Sequence, residues 1–456
     1  MNITIKHLHF ETSQKPLCEG LVRPLILTLI CLLSMTFASA ENYPYRSDYL
    51  FTTIPNHADW LYKTGEKAEV EVIFQHYGMN KTIDCEYSIV NDMAKHKDFK
   101  KITLKDGRAK INMGTRKTPG FTDLMIRTVL DGKTISHHIK VGYDVDNIKA
   151  WTKEPADFKA FWDGVLKEQA KTKLSYTKTL AKEYCTEKFD CYLVKLQLID
   201  NHAIYGYLFM PIAAKQGKKC PVVLCPPGAG IKTIKEPLRH RYYAENDMIR
   251  FEIEIHGLNP TMTDEQFKEI SNAFNENNGG YMANGIENPN RMYLKHIYAG
   301  MVRCFDFLTS LPEWDGKNCA VQGGSQGGAL SIIAAALDPR VNICVANHPA
   351  LSDMGAYSAE GVTEGWPHFN ADKLKPTKEV LNTLAYYDVV NFAKYVKADT
   401  YMTWGYNDNT CPPTTSYAVW NNFSCKKESL ITPINEHWTS ENTEYGHMVW
   451  IKNHLK

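Results

Sequence analysis

The chain has 456 residues, 44% of them hydrophobic and 23% charged, which is the composition of a globular protein with a large core. Its length leaves room for about three domains. Because 52 basic residues stand against 51 acidic ones, the formal net charge of +1 argues against nucleic acid or an anionic membrane surface as a partner.

The first 40 residues have the pattern of a targeting segment. A basic lead is followed by an almost wholly apolar stretch at 25–37 and then by the small residues Ala38, Ser39 and Ala40. The apolar stretch is too short to cross a bilayer comfortably. We therefore predict a signal peptide at residues 1–40, cleaved after Ala40, and a secreted or periplasmic protein without a stable membrane span. An uncleaved anchor is the alternative.

Residues 41–145 are predicted to form a small β-sandwich of the Ig-like kind. Short segments of alternating polarity recur at 68–74, 101–104 and 135–141, and turn signals such as Asp106-Gly107 separate them. We recognise no catalytic constellation in this stretch of sequence. A packing or spacer role is the simpler interpretation, and carbohydrate binding is the alternative.

Residues 151–456 alternate between strand-like and helix-like segments. This order predicts an α/β domain in which helices cover both faces of a mostly parallel sheet. Helical periodicity is clearest at 157–170 and 292–311. Short apolar runs are predicted strands, at 222–225, 248–255, 319–322, 341–346 and 400–404.

A serine-containing turn joins the predicted strand at 319–322 to a predicted helix at 329–337. The sequence Gly-Gly-Ser-Gln-Gly at 323–327 places Ser325 between glycines, which let the backbone bend sharply without a side-chain clash. A serine hydroxyl needs exposure, a neighbouring base and backbone donors for the oxyanion before it can act as a nucleophile. We therefore predict Ser325 as the nucleophile of an α/β-hydrolase domain. A glycine-rich turn in another α/β fold is the alternative.

Two backbone N–H groups are predicted to form the oxyanion hole. One belongs to Gln326, directly after the nucleophile, and the other to the loop that follows an earlier strand. That loop reads Pro-Pro-Gly-Ala-Gly at 226–230. Since proline has no N–H to donate, the second donor is Gly228 or Ala229, and we choose Gly228.

Asp408 is the predicted acid. In α/β-hydrolases the acid follows the serine along the chain and precedes the histidine. Asp408 lies in the polar loop directly after the predicted strand at 400–404. A carboxylate in this place fixes the tautomer of the imidazole and stabilises the imidazolium.

Three histidines follow the acid, and His437 is the predicted base. The apolar run at 429–434 is the predicted last strand, and Ser440 is the predicted cap of the last helix. His437 falls in the loop between them, where this fold carries its base. His447 falls inside the helix and is interpreted as a helix-surface residue. His454 falls near the helix C-terminus, where a positive charge is favourable.

The serine turn and the acid loop resemble those of the acetyl xylan esterase/cephalosporin C deacetylase family, carbohydrate esterase family seven. The sequence Gly-Gly-Ser-Gln-Gly-Gly at 323–328 is similar to the family's elbow, and Asp408 with Cys-Pro-Pro-Thr at 411–414 is similar to its acid loop. His437 also follows Asp408 at the spacing of the family's base. The resemblance covers roughly 151–456, and the added domain at 41–145 is similar to that of exported Bacteroides-type members.

Two segments depart from the family's pattern. The oxyanion loop usually reads His-Gly-Tyr-x-Gly, so the tyrosine that helps to shape the acyl pocket is missing at 226–230. The family's Asp-x-Arg-Gly-Gln-Gly segment is replaced by Glu-Ile-His-Gly-Leu-Asn at 254–259. These differences lie near the substrate and bear on acetyl specificity more than on the serine chemistry.

The resemblance implies a secreted serine carboxylesterase that removes acetyl groups from acetylated xylan or xylo-oligosaccharides through an acyl-enzyme. Its partner would be the acetylated carbohydrate, and the chemistry requires no metal and no cofactor. A serine peptidase of the α/β-hydrolase fold and a non-catalytic glycan-binding protein are the alternatives. The sequence leaves a homo-oligomer open.

Overall fold

A computed structural model describes residues 48–274 and 280–456. The predicted signal peptide at residues 1–40 lies outside the described residues. Within these two stretches, no helix combines the length and the apolar character that crossing a bilayer would take.

The amino-terminal part folds as two β-sheets that share one core. One sheet contains β1, β3, β4 and β7, and the other has the order β2-β9-β8-β5-β6. Strand β3 buries alternate side chains against strands of the second sheet, as the alternation at 68–74 predicts. The strands are β1 Tyr49–Pro55, β2 Leu61–Tyr62, β3 Ala68–His76, β4 Met79–Asn80, β5 Ile83–Asn91, β6 Lys100–Leu104, β7 Arg108–Gly114, β8 Gly120–Leu130 and β9 Lys133–Tyr143.

The remainder of the chain is built on a nine-stranded sheet of order β10-β11-β12-β14-β13-β15-β16-β17-β18. The pairs from β10 to β14 along this order are antiparallel, and the pairs from β14 to β18 are parallel. The strands are β10 Tyr176–Leu180, β11 Phe189–Gln197, β12 Ala203–Pro211, β13 Cys220–Cys225, β14 Ile249–Ile253, β15 Trp314–Gly324, β16 Ile343–Asn347, β17 Asp399–Gly405 and β18 Lys427–Thr432.

Helices pack on the sheet and make its centre fully buried. Strand β16 is buried at every position, which is the burial expected of a central parallel strand covered on both faces. The helices are α1 Phe158–Ala170, α2 Ile212–Lys215, α3 Tyr242–Glu245, α4 Asp264–Phe274, α5 Leu294–Ser310, α6 Gln326–Leu337, α7 Lys378–Tyr387, α8 Val389–Ala393, α9 Pro413–Asn422 and α10 Glu441–Asn453.

The parallel strands all end at one edge of the sheet, and this edge carries the predicted functional loops. The loop at 226–230 follows β13, Ser325 follows β15, Asp408 follows β17 and His437 follows β18. Four segments that are far apart in sequence therefore converge because their strands run in the same direction.

The predicted elements are found with small differences at their ends. Helix α6 begins at Gln326 rather than at 329, because Gly327 and Gly328 weaken the helical sequence signal at its start. Ser440 caps α10 as predicted, since its hydroxyl accepts a hydrogen bond from the backbone N–H of Thr443 at 3.2 Å.

An aromatic contact joins the amino-terminal sheets to the larger sheet. Phe121 of β8 is fully buried, and its ring centroid lies 5.0 Å from that of Tyr406 and 5.8 Å from that of Tyr417. The two parts of the chain therefore share apolar surface directly beside the loop that carries Asp408.

We expect Phe121→Ala to lower the free energy of unfolding by about 3 to 5 kcal/mol, because it opens a cavity at this junction. Ile54→Ala, in the same sandwich but 48% exposed, is the matched control and should cost within about 0.5 kcal/mol. Denaturant unfolding of both variants checks the difference. If both variants lost the same amount of unfolding free energy, the contact of Phe121 at this junction would not be a particular source of stability.

Candidate active site

Ser325 occupies a strained turn between β15 and α6. Its backbone has φ 58° and ψ −122°, a conformation that residues other than glycine rarely adopt. The neighbouring glycine is required by space, because a Cβ on Gly327 would lie 2.4 Å from the carbonyl oxygen of Pro226. This sharp strand-to-helix turn presents a serine hydroxyl at the edge of the sheet.

The structure brings Ser325, His437 and Asp408 into one chain of hydrogen bonds. The Nε2 atom of His437 lies 3.1 Å from the hydroxyl oxygen of Ser325, and its Nδ1 atom lies 2.8 Å from Oδ2 of Asp408. The second oxygen of the fully buried Asp408 accepts hydrogen bonds from the backbone N–H groups of Thr410 and Cys411, at 2.7 and 2.8 Å. Such an arrangement can move a proton from the serine to the imidazole while the carboxylate stabilises the resulting charge.

His447 is not a helix-surface residue, and that part of the sequence interpretation was wrong. Its side chain is buried on the inner face of α10, and its Nε2 lies 3.0 Å from the hydroxyl of Thr403. The hydroxyl of Thr403 donates its single hydrogen to Oδ1 of Asn347 at 2.7 Å. It can therefore only accept a hydrogen bond from His447, whose Nε2 is the donor. Burial lowers the pKa of His447 to about 4, so this histidine is neutral near pH 7.

The two predicted oxyanion donors lie on either side of the serine turn. Gln326 is the first residue of α6, where a backbone N–H has no partner inside its own helix. Gly228 belongs to the loop after β13, and a Cβ on it would lie 3.8 Å from the carbonyl oxygen of Gly324. Both backbone segments therefore lie beside the turn that carries Ser325.

Tyr281 links these two segments, a role that sequence reasoning missed. Its hydroxyl donates to Oε1 of Gln326 and accepts a hydrogen bond from the backbone N–H of Gly230 at 3.3 Å. The sequence signal that could have marked it is Gly-Tyr-Met-Ala-Asn-Gly-Ile at 280–286, a segment that is also similar to the family's sequence. The bridge fixes the distance between the loop after β13 and the start of α6.

His348 lies against the predicted base. Its ring centroid is 4.4 Å from that of His437, and burial lowers its pKa to about 3, so it is neutral. His348, Asp408 and His437 offer ligand atoms that all lie within 4.8 Å of one another. A divalent cation held by these atoms would compete with the proton for the imidazole of His437.

Ser325 opens into a cleft of about 740 Å³. Trp438, which directly follows the predicted base, lines this cleft and is 52% exposed. The remaining wall carries many groups that can form hydrogen bonds, among them Lys232, Arg239, His240, Arg250, Glu252 and Glu444. A cleft of this kind suits a ligand rich in hydroxyl groups better than an apolar one.

Comparison with known proteins gives consistent matches. The family model described as "Acetyl xylan esterase (AXE1)" matches residues 143–454. The acetyl esterase Axe7A of Xylanibacter ruminicola is 57% identical over 436 residues, which are 95% of this chain and 98% of that protein.

Solved structures agree on the fold. An acetyl xylan esterase from Paenibacillus sp. R4 superposes with a TM-score of 0.58 at 27% identity, over 68% of this chain and 98% of its own. Acetyl xylan esterase 1 from Thermoanaerobacterium sp. JW/SL YS485 superposes with a TM-score of 0.56 at 22% identity, over 67% of this chain and 97% of its own. The predicted α/β-hydrolase fold is thereby confirmed.

The buried, neutral His447 generates a prediction about pH. An unfolded histidine titrates near pH 6.5, whereas His447 in the folded protein has a pKa of about 4. Between these two pH values the unfolded state binds more protons than the folded state does. The contribution of His447 to the free energy of unfolding is therefore complete above about pH 6.5 and is lost as the pH falls towards 4. We expect His447→Gln to reduce the loss of unfolding free energy between pH 7 and pH 4 by about 3 kcal/mol. Denaturant titrations at both pH values measure this, and an unchanged pH dependence would contradict it.

Proposed function

This chain belongs to the acetyl xylan esterase family and is a carbohydrate acetylesterase, and we propose that it deacetylates xylan or xylo-oligosaccharides through an acyl-enzyme on Ser325. The observation that carries the proposal is the continuous hydrogen-bonded chain from Ser325 through His437 to Asp408. The family match favours an ester substrate over the peptide of a serine peptidase. The complete hydrogen-bonded chain favours catalysis over glycan binding alone.

The reaction proceeds in two steps that use the same residues. Nε2 of His437 takes the hydroxyl proton of Ser325 while Oγ attacks the acetyl carbonyl carbon. The N–H groups of Gln326 and Gly228 stabilise the oxyanion, each by about 3 kcal/mol in the transition state. The sugar oxygen then leaves with the proton from His437. In the second step, His437 takes a proton from a water molecule while the water oxygen attacks the acetyl carbon of the acyl-enzyme. Acetate is released, and His437 returns the proton to the oxygen of Ser325.

The cleft beside Ser325 supports a carbohydrate as the alcohol part of the ester. Its wall offers charged and amide groups that can bind sugar hydroxyls. The exposed ring of Trp438 stands next to His437, where it can stack against a pyranose face while its N–H stays free for a hydrogen bond. Recognition of the sugar is thereby separated from the chemistry at the acetyl group.

Two further parts of the proposal concern the whole chain. We propose that residues 41–145 form one domain and residues 151–456 the catalytic domain, in line with the separate sheets of the two parts and with the hydrophobic cluster that the sandwich strands share. We also propose export to the periplasm or the medium, on the basis of the leader pattern at 1–40.

Ser325→Ala and His437→Ala should each lower kcat for acetate release by at least about 10⁴-fold, since each removes a group that acts in the transition state. Acetylated xylan and a simple acetylated xylose are the substrates. His447→Gln, whose amide can still donate to the hydroxyl of Thr403, is the matched control and should retain most of the activity. If folded Ser325→Ala hydrolysed these esters at the wild-type rate, the acyl-enzyme would be excluded. Cleavage of peptides in preference to acetyl esters would point to the peptidase instead.

The export proposal predicts a mature amino terminus at Glu41. Expression of the full chain in a Gram-negative host, followed by fractionation and intact-mass measurement, tests it. Replacing Ala38 and Ala40 by bulky residues should block the cleavage, because signal peptidases require small residues at these positions. A full-length protein retained in the membrane would instead support the uncleaved anchor.

A further inference from the structure

The amino-terminal sandwich reaches the loop that carries Asp408. Lys140 lies near the end of β9, and its ammonium donates to the main-chain oxygen of Asp408 at 2.8 Å. The backbone N–H of Lys140 also donates to Oδ1 of Asn407, at 2.9 Å. One residue of the sandwich therefore holds two consecutive residues of the acid loop.

A second charge completes this contact. Asp92 lies just after β5 and pairs with Lys140 through an N–O distance of 2.8 Å, and the two side chains are 1% and 0% exposed. The other carboxylate oxygen of Asp92 accepts from the backbone N–H and the hydroxyl of Thr414, at 3.2 and 2.7 Å. The pair thus binds the acid loop at 407–408 and again at the start of α9.

Stability alone does not account for such a pair. Removing two charges from water is costly, and apolar side chains of similar volume often stabilise a protein as well as a buried ion pair does. Unlike apolar contacts, the bonds of this pair are directional, so each of them fixes the position of a particular atom. The atoms that Lys140 fixes belong to Asp408 and to its neighbour.

We propose that Lys140 and Asp92 are positioning residues for the reaction, which act by holding Asp408 in line with His437. This inference rests on the proposed catalytic role of Asp408. The backbone N–H groups of Thr410 and Cys411 hold the carboxylate of Asp408 from within the loop. Lys140 holds the main chain of the same residue from the sandwich, so the carboxylate cannot rotate away with its peptide.

Two other observations place this role in the sandwich. Nε2 of His138, two residues before Lys140 on β9, lies 3.6 Å from the carboxylate of Glu436, which directly precedes the predicted base. The acetyl xylan esterase family model begins at residue 143, so both Asp92 and Lys140 lie outside the stretch it describes. The amino-terminal sandwich therefore contacts the acid loop and the residue before the predicted base, although none of its described residues lines the cleft at Ser325.

The test is a double-mutant cycle on the full chain. Lys140→Met combined with Asp92→Asn removes both charges while the amide still accepts from Thr414, so no buried charge is left unpaired. We expect kcat for acetate release to fall about 10- to 100-fold with KM within about twofold, since misplacement of a catalytic group acts on the chemical step. In an Asp408→Ala background the same pair of substitutions should cause no further loss of the residual activity.

Controls separate positioning from general weakening of the fold. Asn421→Ala removes two hydrogen bonds across the same junction, to the carbonyl oxygens of Val145 and Ile148, without touching the acid loop. It should lower the melting temperature and leave kcat unchanged. If the double variant fails to fold, Thr414→Val, which removes one hydroxyl donor to Asp92, should give a smaller loss of kcat with the same dependence on Asp408.

Each outcome decides the matter. Loss of kcat that disappears in the Asp408→Ala background supports positioning. An equal fold-loss in both backgrounds, or a rise in KM at unchanged kcat, overturns it while the proposed triad stands. Wild-type activity of Asp408→Ala itself would overturn the role of Asp408 and this inference with it.

Discussion

The turn at Ser325 is the constraint on which the rest of the active site depends. A residue other than glycine is held at φ 58°, which costs free energy that its surroundings must repay. The backbone N–H of Ser325 donates to the carbonyl oxygen of Asn347 at 3.0 Å, and the oxygen of Ser325 accepts from Ala350 at the same distance. These two hydrogen bonds hold the strained turn against the end of the neighbouring strand β16. The rigid sheet therefore maintains the conformation of the turn.

The local pattern was sufficient to predict the three residues that meet at this turn. Ser325, Asp408 and His437 each follow a strand that can be read from a short apolar run, and parallel strands bring their carboxyl ends together. The burial of His447 could not be predicted in this way, because the sequence pattern of α10 does not indicate that a histidine on this helix is buried. The contact of Lys140 could not be predicted for a related reason. The strict alternation of β9 ends at 139–141, where all three residues are buried since the second face of the strand meets the catalytic part.

Burial gives the histidines near Ser325 different properties. Burial lowers the pKa values of His348 and His447 despite the carboxylates nearby, so both act as neutral hydrogen-bonding or packing groups. His437 has a different environment, with a buried carboxylate on one side and the solvent-facing cleft on the other. Of these three, His437 therefore has the geometry to accept a proton and to release it again during turnover.

The departure from the family's oxyanion loop can be understood in the same physical terms. Two prolines at 226 and 227 remove two N–H donors, but they also fix φ and so stiffen the loop that leads to Gly228. The oxygen of Pro226 abuts the position of Gly327, which leaves no room for a side chain there. Tyr281 then ties Gly230 to Gln326 from the opposite side. Such contacts can hold the proposed backbone donor, Gly228, beside Ser325 without a tyrosine in the loop, because preorganisation of a donor is what stabilises an oxyanion.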